Sequence, residues 1–498
     1  MHKYDHIVVG AGASGLTLAM LLGLNGKRVL LLEKGPRLGG SMLRFQRRGI
    51  PFDTGVHFTG GLGRQGVLTQ MLHVLGMAEA VRTGSDAVLP DIRFVFEDTG
   101  RSYEYPVGYW NAARALMDQF PQERDGLRRF FTMMEHVCRN TASMQLGSIT
   151  EHSVPLQTDG ISLAAVLDEL FDDPELKTLL AGYALCHGTS PDEISFTKHS
   201  QVAYGLYDSV AFLDGGGQGL IDAFTRALAR LDVDIRLSTA LAECGPVEGK
   251  RVTQFVLTSG ERVEADECLF TIHPHETLAV LPRAHLSKAF VSRVGEFEPS
   301  IGLFCVYAVV RDGVAPFSPA IDTRLPHSDL RALLRPTGPH DRPMAMLRRR
   351  ETVRGQAHNV LALQEVSVPA DVAAWSDSST GRRPRDYYAY KRERAERLVH
   401  RALAAFPEYA GRLEALESAS MLTFRDYLHS PWGCAYGIRQ RLGQFSLFGR
   451  LPIRNLYVAG QSAALPGVLG AMMSSFIVAR MTLGKPVYQS FIDGRLQG

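Results

Sequence analysis

The opening segment constrains this chain more than any other. Asp5-His6-Ile7-Val8-Val9 is a β-branched apolar run that passes directly into Gly10-Ala11-Gly12-Ala13-Ser14-Gly15, and a helix-like apolar stretch then continues to Gly26. The run reads as a buried strand. Glycines at G-x-G-x-x-G spacing permit a tight turn and let backbone approach a pyrophosphate, while the helix that follows offers its unpaired N–H groups to an anion. A second strand, Arg28-Val29-Leu30-Leu31-Leu32-Glu33, ends in an acid about twenty positions after the last glycine, where a carboxylate can accept hydrogen bonds from a ribose diol. Glycine-rich turns are common; strand, turn, helix, second strand and terminal acid in one register are what make this a dinucleotide site. The chain carries its own control in Gly61-Leu62-Gly63-Arg64-Gln65-Gly66. That copy follows no proper strand and leads to no strand ending in an acid, so it reads as a loop before a helix over Val67 to Leu75.

At 498 residues the chain is too long for one simple domain and reads as a soluble globular protein of two or three subdomains. A formal charge of +2 gives no electrostatic footprint for nucleic acid. Six cysteines scattered without C-x-x-C spacing argue against a metal site or a disulfide framework, and suggest free, mostly buried thiols in a reducing cytosol. The first strand begins close to Met1 with no room for a secretion signal, and no apolar stretch is long enough to cross a bilayer. The expected location is cytoplasmic, with peripheral membrane contact left open through Arg348-Arg349-Arg350 or an Arg-rich helix over Asp386 to Phe406.

Further along, Lys34-Gly35-Pro36-Arg37-Leu38-Gly39-Gly40-Ser41 is a glycine-paired loop, followed by Phe52-Asp53-Thr54-Gly55-Val56-His57. Residues from about Gly76 to Asp208 read as a largely helical insert, with helices over Tyr109 to Phe120, Leu127 to Cys138 and Ile161 to Leu170. Gly215-Gly216-Gly217-Gln218-Gly219 opens an amphipathic helix, and strand-like runs follow over Val233 to Leu237, Val252 to Thr258 and Val263 to Thr271, the latter two joined by a hairpin at Ser259-Gly260. Near the C-terminus, Asn455-Leu456-Tyr457-Val458-Ala459-Gly460-Gln461 and Pro466-Gly467-Val468-Leu469-Gly470-Ala471 repeat the opening grammar of strand, glycines and helix. Two such turns at opposite ends of the chain imply a discontinuous domain.

Together these blocks resemble the flavoprotein superfamily of phytoene desaturases, carotenoid isomerases and amine oxidases, and within it the branch that includes all-trans-retinol 13,14-reductase. Gly10 to Glu33, Arg37 to His57, Gly215 to Pro274 and Pro431 to Leu483 carry the likeness; Gly433-Cys434-Ala435-Tyr436-Gly437 and Asn455 to Gln461 set it apart from amine oxidases. The resemblance implies an α/β fold: a discontinuous Rossmann-type FAD-binding domain of the GR2-type flavoproteins (1–75, 209–280 and 430–498), with an inserted mixed α+β substrate domain and helical cap (76–208 and 281–429). It implies that Gly10, Gly12 and Gly15 face the FAD pyrophosphate and Glu33 the adenosine ribose. Lys34, Arg37, Gly39, Gly40 and Ser41 would wrap the phosphates and the isoalloxazine edge, and Leu241 would hold adenine. Gly460 and Gln461 would touch the ribityl and pyrophosphate, with Gly467, Leu469 and Gly470 along the flavin. Gln461 stands where many relatives carry an acid, and Ile272-His273-Pro274 replaces an Asn-Ala-Asp-Pro.

A bound flavin exchanges hydride at N5, so such a chain must place a substrate carbon there and exclude water. Met117, Phe120, Phe130, Phe131, Met133, Met134 and Met144 suit an ordinary core, and also a channel for a lipophilic polyene, isoprenoid or acyl chain. Saturating a double bond needs a proton as well as a hydride, which makes His57 and Tyr436 the catalytic candidates. The scaffold serves saturation, desaturation or isomerisation, and the lack of a second nucleotide motif leaves electrons, where needed, to an external electron donor or to transient nicotinamide binding. The alternatives are an amine oxidase-like flavoenzyme and a non-catalytic lipid escort of the same fold.

Overall fold

The computed structural model describes residues 3–81, 92–141, 144, 146, 157–311 and 320–497. Two sheets organise it. The first has eight strands, and its main path runs Gly449–Arg450, Leu456–Val458, Arg262–Phe270, Lys3–Val9, Val29–Leu32 and Val233–Arg236. All pairs along this path are parallel except the one made by Gly449–Arg450. Phe255–Leu257 and Leu241–Cys244 branch from Arg262–Phe270 as an antiparallel extension, with the hairpin at Ser259-Gly260. The inner strands are apolar on both faces, as a sheet covered on both sides requires.

Register decides where this sheet can bind anything. Val9 lies opposite both Leu32 and Phe270, and Phe270 opposite Val458. Four strands therefore end level, and the chain leaves them at Gly10, Glu33, Thr271 and Ala459 along one edge, where open α/β sheets bind ligands. The helix Ala13–Leu24 packs against Gly467–Leu483, with Ser14 Oγ and Ser475 Oγ 2.7 Å apart and Ser475 Oγ donating to the Ser14 carbonyl at 2.9 Å.

The second sheet has seven strands in the order Leu413–Ala419, Gly302–Val310, Gln356–Ser367, Met344–Val353, Ile321–Leu325, Ile92–Phe96 and Ser102–Tyr105. Its last two strands lie inside the segment expected to be largely helical. Their alternation, exposed and buried by turns in Ser102–Tyr105, is the strand period, and it is short enough to be lost between longer helical runs. Around them the helices Tyr109–Gln119, Arg124–Asn140, Leu163–Leu170 and Phe196–Ser209 build an aromatic-rich core that includes Phe130, Phe131 and Met134. These three residues are core, as their spacing also allowed. All six cysteines are unbonded to one another, and five are buried.

The opposite face of this sheet is covered by the helix Arg385–Ala405, which buries Leu398 and Ala402 against Leu361 and Leu363, and Tyr387 among Val372, Met421 and Leu422. Its basic character points partly inward. Arg394 is buried and pairs with Glu365 at 2.8 Å and Asp371 at 2.9 Å. Arg348 is likewise buried and donates to the Tyr409 hydroxyl, and Arg349 pairs with Asp53 at 2.7 Å, so of that arginine run Arg350 alone is exposed. Arg348-Arg349-Arg350 is thus a structural feature and no basic patch for a lipid surface. Among the described residues, no helix is long and apolar enough to cross a membrane.

Removing one member of a buried ion pair strands the other without solvent. Arg394→Met, which leaves Glu365 wholly buried beside weaker partners, is expected to cost about 3–5 kcal/mol, read as a lower urea midpoint.

Candidate functional site

The level strand ends open onto a cavity of about 680 Å³ that runs from the glycine turn to the inner face of the second sheet. Its first half is backbone. Gly10 has φ +96°, and a Cβ there would stand 2.9 Å from Ile272 Cγ2 and Thr271 Oγ1. At Gly15 a Cβ would fall 1.8 Å from the Gly10 carbonyl oxygen, whereas a Cβ on Gly12 would meet nothing within 4 Å. Gly10 and Gly15 therefore allow the turn to close, and Gly12 keeps open the space in front of it. The Ala13–Leu24 helix has no side-chain cap and no acid in its first turn, and Gly467–Leu483 has neither as well. Their uncapped N–H groups suit an anion.

Glu33 stands at the adjoining strand end, its carboxylate held by the Ala11 N–H at 2.9 Å and the Gly35 N–H at 2.7 Å. Lys34 reaches Glu276 at 2.5 Å across the cavity mouth, and Leu241 with Thr239 and Ala240 forms the wall beyond. Gly40 presses against Gly12, a Cβ on it lying 3.3 Å from the Gly12 Cα, beside Ser41 on the same wall. Gly39, at φ +121°, acts behind the wall by donating to the Ala11 carbonyl at 2.8 Å. Arg37 is exposed and does not line the cavity. Gly460 (φ +114°), Gln461, Gly467, Leu469 and Gly470 line the far side, with the Gly460 N–H bonded to Ser474 Oγ at 2.8 Å. The glycine cradle, the terminal acid and the uncapped helix starts fit an elongated dinucleotide diphosphate such as FAD.

The second half of the cavity is apolar, walled by residues such as Phe58, Phe94, Leu206, Leu303 and Val366. His57 and Tyr436 both face it. The Tyr436 hydroxyl donates to the Leu185 carbonyl at 2.8 Å, and burial raises its pKa well above the ordinary phenol value, so its proton is already committed. Burial pushes the pKa of His57 down to about 4 against the pull of Asp53, which leaves the imidazole neutral around pH 7. Behind His57, Asp53 pairs with Arg44 at 2.9 Å and Arg349 at 2.7 Å, and both arginines also meet Glu351. In front of it, Gln364 lies 2.6 Å from Nε2. Sequence reasoning passed over Gln364, Glu276 and Thr271. An amide interrupting the apolar run of Asn359-Val360-Leu361-Ala362-Leu363-Gln364 was the available signal for the first.

A flavin cradle joined to an apolar chamber defines an FAD-dependent oxidoreductase. Residues 13–310 match the family described as flavin containing amine oxidoreductase, and the chain belongs to that family. It is 26% identical to the all-trans-retinol 13,14-reductase of Macaca fascicularis over 99% of this chain and 87% of that protein. It is 33% identical to the chloroplastic prolycopene isomerase 2 of an Oncidium hybrid cultivar over 30% of this chain and 25% of that one. A solved putrescine oxidase with putrescine bound shares the fold at a TM-score of 0.65 and 16% identity, covering 97% of this chain and 98% of its own.

Two glycines separate folding from cofactor binding. Gly12→Val is expected to fold and to lose flavin affinity by at least about tenfold, because its side chain enters open space, whereas Gly15→Val collides with the Gly10 carbonyl and lowers the melting temperature. Flavin absorbance of the purified variants and their thermal melts distinguish the two. Buried imidazoles give a second signature: burial lowers the pKa of His57 to about 4, of His199 and His273 to about 3, and that of His187 well below its ordinary value. The unfolded chain then binds protons that the folded one excludes. Stability is full above about pH 6.5 and falls as the pH drops toward 4, a trend that the urea midpoint measures.

Proposed function

We propose that this oxidoreductase acts on carbon–carbon double bonds of a lipophilic polyene, isoprenoid or acyl chain, by saturation, desaturation or isomerisation. Charge carries the reading. Among the described residues, the only carboxylates and ammonium on the cavity wall are Glu33, Lys34 and Glu276, all at the dinucleotide end. A protonated amine entering the apolar half would lose its hydration without meeting a carboxylate, a cost of several kcal/mol that a neutral hydrocarbon avoids. The names of the retinol reductase and prolycopene isomerase relatives support the same substrate class. In this reading 1–75, 209–280 and 430–498 serve FAD, and 76–208 with 281–429 serve the substrate.

Bound FAD supplies hydride exchange at N5. The chain's own contribution is to exclude water with apolar walls, to orient the substrate, and to keep His57 neutral beside it. Gly10, Gly12, Glu33, Gly40 and Ser41 would hold the cofactor, Gly15 closes the turn behind them, and Tyr436 braces the wall through Leu185. A retained flavin cradle favours catalysis over lipid escort.

Anaerobic incubation of the flavoprotein with candidate polyenes and unsaturated lipids tests this. With the flavin oxidised in one arm and chemically reduced with dithionite in the other, the expected product differs by two hydrogens or is an isomer of equal mass; hydrogen peroxide from amines in a parallel aerobic assay, with every polyene unchanged, overturns the proposal. Because His57 stays neutral, the pH profile of kcat/KM is expected to show no step near pH 6.5.

A further inference from the structure

The inner face of the second sheet meets the cavity through Leu303, Ile321, Ala345 and Val366, with Gln364 set among them. Pairing fixes its place: Gln364 lies between Cys305 on one neighbouring strand and Ala345 on the other. Its carboxamide brings two N–H hydrogens and a carbonyl oxygen to a mostly apolar wall that also carries Thr323. His57 Nε2, at 2.6 Å, engages one of these groups and steadies the amide. Three other polar side chains of this half are engaged elsewhere. Tyr436 is bonded to the Leu185 carbonyl, Tyr183 accepts from the Tyr105 hydroxyl at 3.1 Å, and Gln201 donates to Thr141 Oγ1 at 3.2 Å.

His57 and Gln364 also lie beside the residues assigned to the flavin. A Cβ on Gly55 would stand 3.0 Å from Ser41 Cβ, and one on Gly61 would stand 2.9 Å from Leu469 Cδ1, so the segment carrying His57 runs between the two flavin-facing walls. The ion cluster of Asp53, Arg44, Arg349 and Glu351 behind it balances two positive with two negative charges, and supports the imidazole without charging it. The result is a neutral hydrogen-bonding pair where the chamber meets the cofactor site.

We propose that Gln364, steadied by His57, is a specificity-determining residue that binds an oxygen function of the substrate, hydroxyl or carbonyl, close to the double bond that reacts. The proposal rests on the carbon–carbon reading above and narrows it. A polyene offers several nearly equivalent double bonds, and apolar walls distinguish them poorly because one methylene is worth only about 1–3 kcal/mol. An oxygen held at Gln364 fixes the register of the chain over the flavin. It also selects against a pure hydrocarbon, which would leave part of the amide's hydrogen-bonding capacity unused.

The test uses the flavin-loaded protein with all-trans-retinol, all-trans-retinal and the hydrocarbon in which hydrogen replaces the retinol hydroxyl. Binding is read from the perturbation of the oxidised flavin spectrum, and turnover from product mass with the flavin oxidised and, separately, reduced with dithionite. Wild type is expected to bind at least one oxygenated ligand at least about tenfold more tightly than the hydrocarbon, and the alcohol and aldehyde arms tell hydroxyl from carbonyl. Gln364→Leu is expected to abolish that preference while hydrocarbon affinity and flavin content hold, and Gln364→Asn to restore part of it. Equal loss for all three ligands in Gln364→Leu, or an unchanged preference, overturns the proposal. So does a wild type that makes no distinction, even where it transforms the hydrocarbon, an outcome that leaves the carbon–carbon reading standing. If wild type neither binds nor transforms any of the three, this proposal falls; the broader reading falls only if the unsaturated lipids of the preceding section are also untouched.

Discussion

The cofactor half depends on the contact between two helices that begin at opposite ends of the chain. Ala13–Leu24 and Gly467–Leu483 meet through Ser14 and Ser475, whose hydroxyls are bonded to each other, with Ser475 also bonded to the Ser14 carbonyl. Small residues let the helices approach, and the approach brings two uncapped N-termini to the same edge of the sheet. Neither helix alone would make the site. The first supplies the turn at Gly10 to Gly15, the second the wall from Gly467 to Gly470, and both open onto one cavity.

A second constraint ties this half to the substrate sheet. Asp53 ends the strand Ile50–Asp53 and meets Arg349 from the strand Met344–Val353, with Arg44 and Glu351 completing the cluster. Four buried charges are costly to desolvate, and they persist here because each has opposite charges in contact. Their position gives them a further consequence. They lie behind His57, where balanced charge and burial leave the imidazole uncharged, and this suits a hydrogen-bonding role better than proton donation by an imidazolium.

Legibility in the sequence followed the range of the interactions. The glycine turns, the acid at Glu33 and the C-terminal strand-turn-helix were readable because each is a local pattern with a local physical cause. The strands Ile92–Phe96 and Ser102–Tyr105 were not, because pairing with a strand more than two hundred residues away supports a short stretch that local periodicity leaves ambiguous. The arginine run Arg348-Arg349-Arg350 looked like a surface feature because its partners Tyr409 and Asp53 are distant in sequence. Gln364 escaped notice for the same reason, since a glutamine gains meaning only from what faces it.

The sequence by itself determined the cofactor class and the doubly wound sheet, since backbone conformation at glycine and the period of apolar strands are properties of neighbouring residues. Tertiary structure decided the rest. It placed Tyr436 against a carbonyl, set His57 between a balanced ion cluster and an amide, and confined the charges of the cavity wall to the dinucleotide end. Those outcomes depend on desolvation and on partners brought together from remote segments, and no local pattern encodes either.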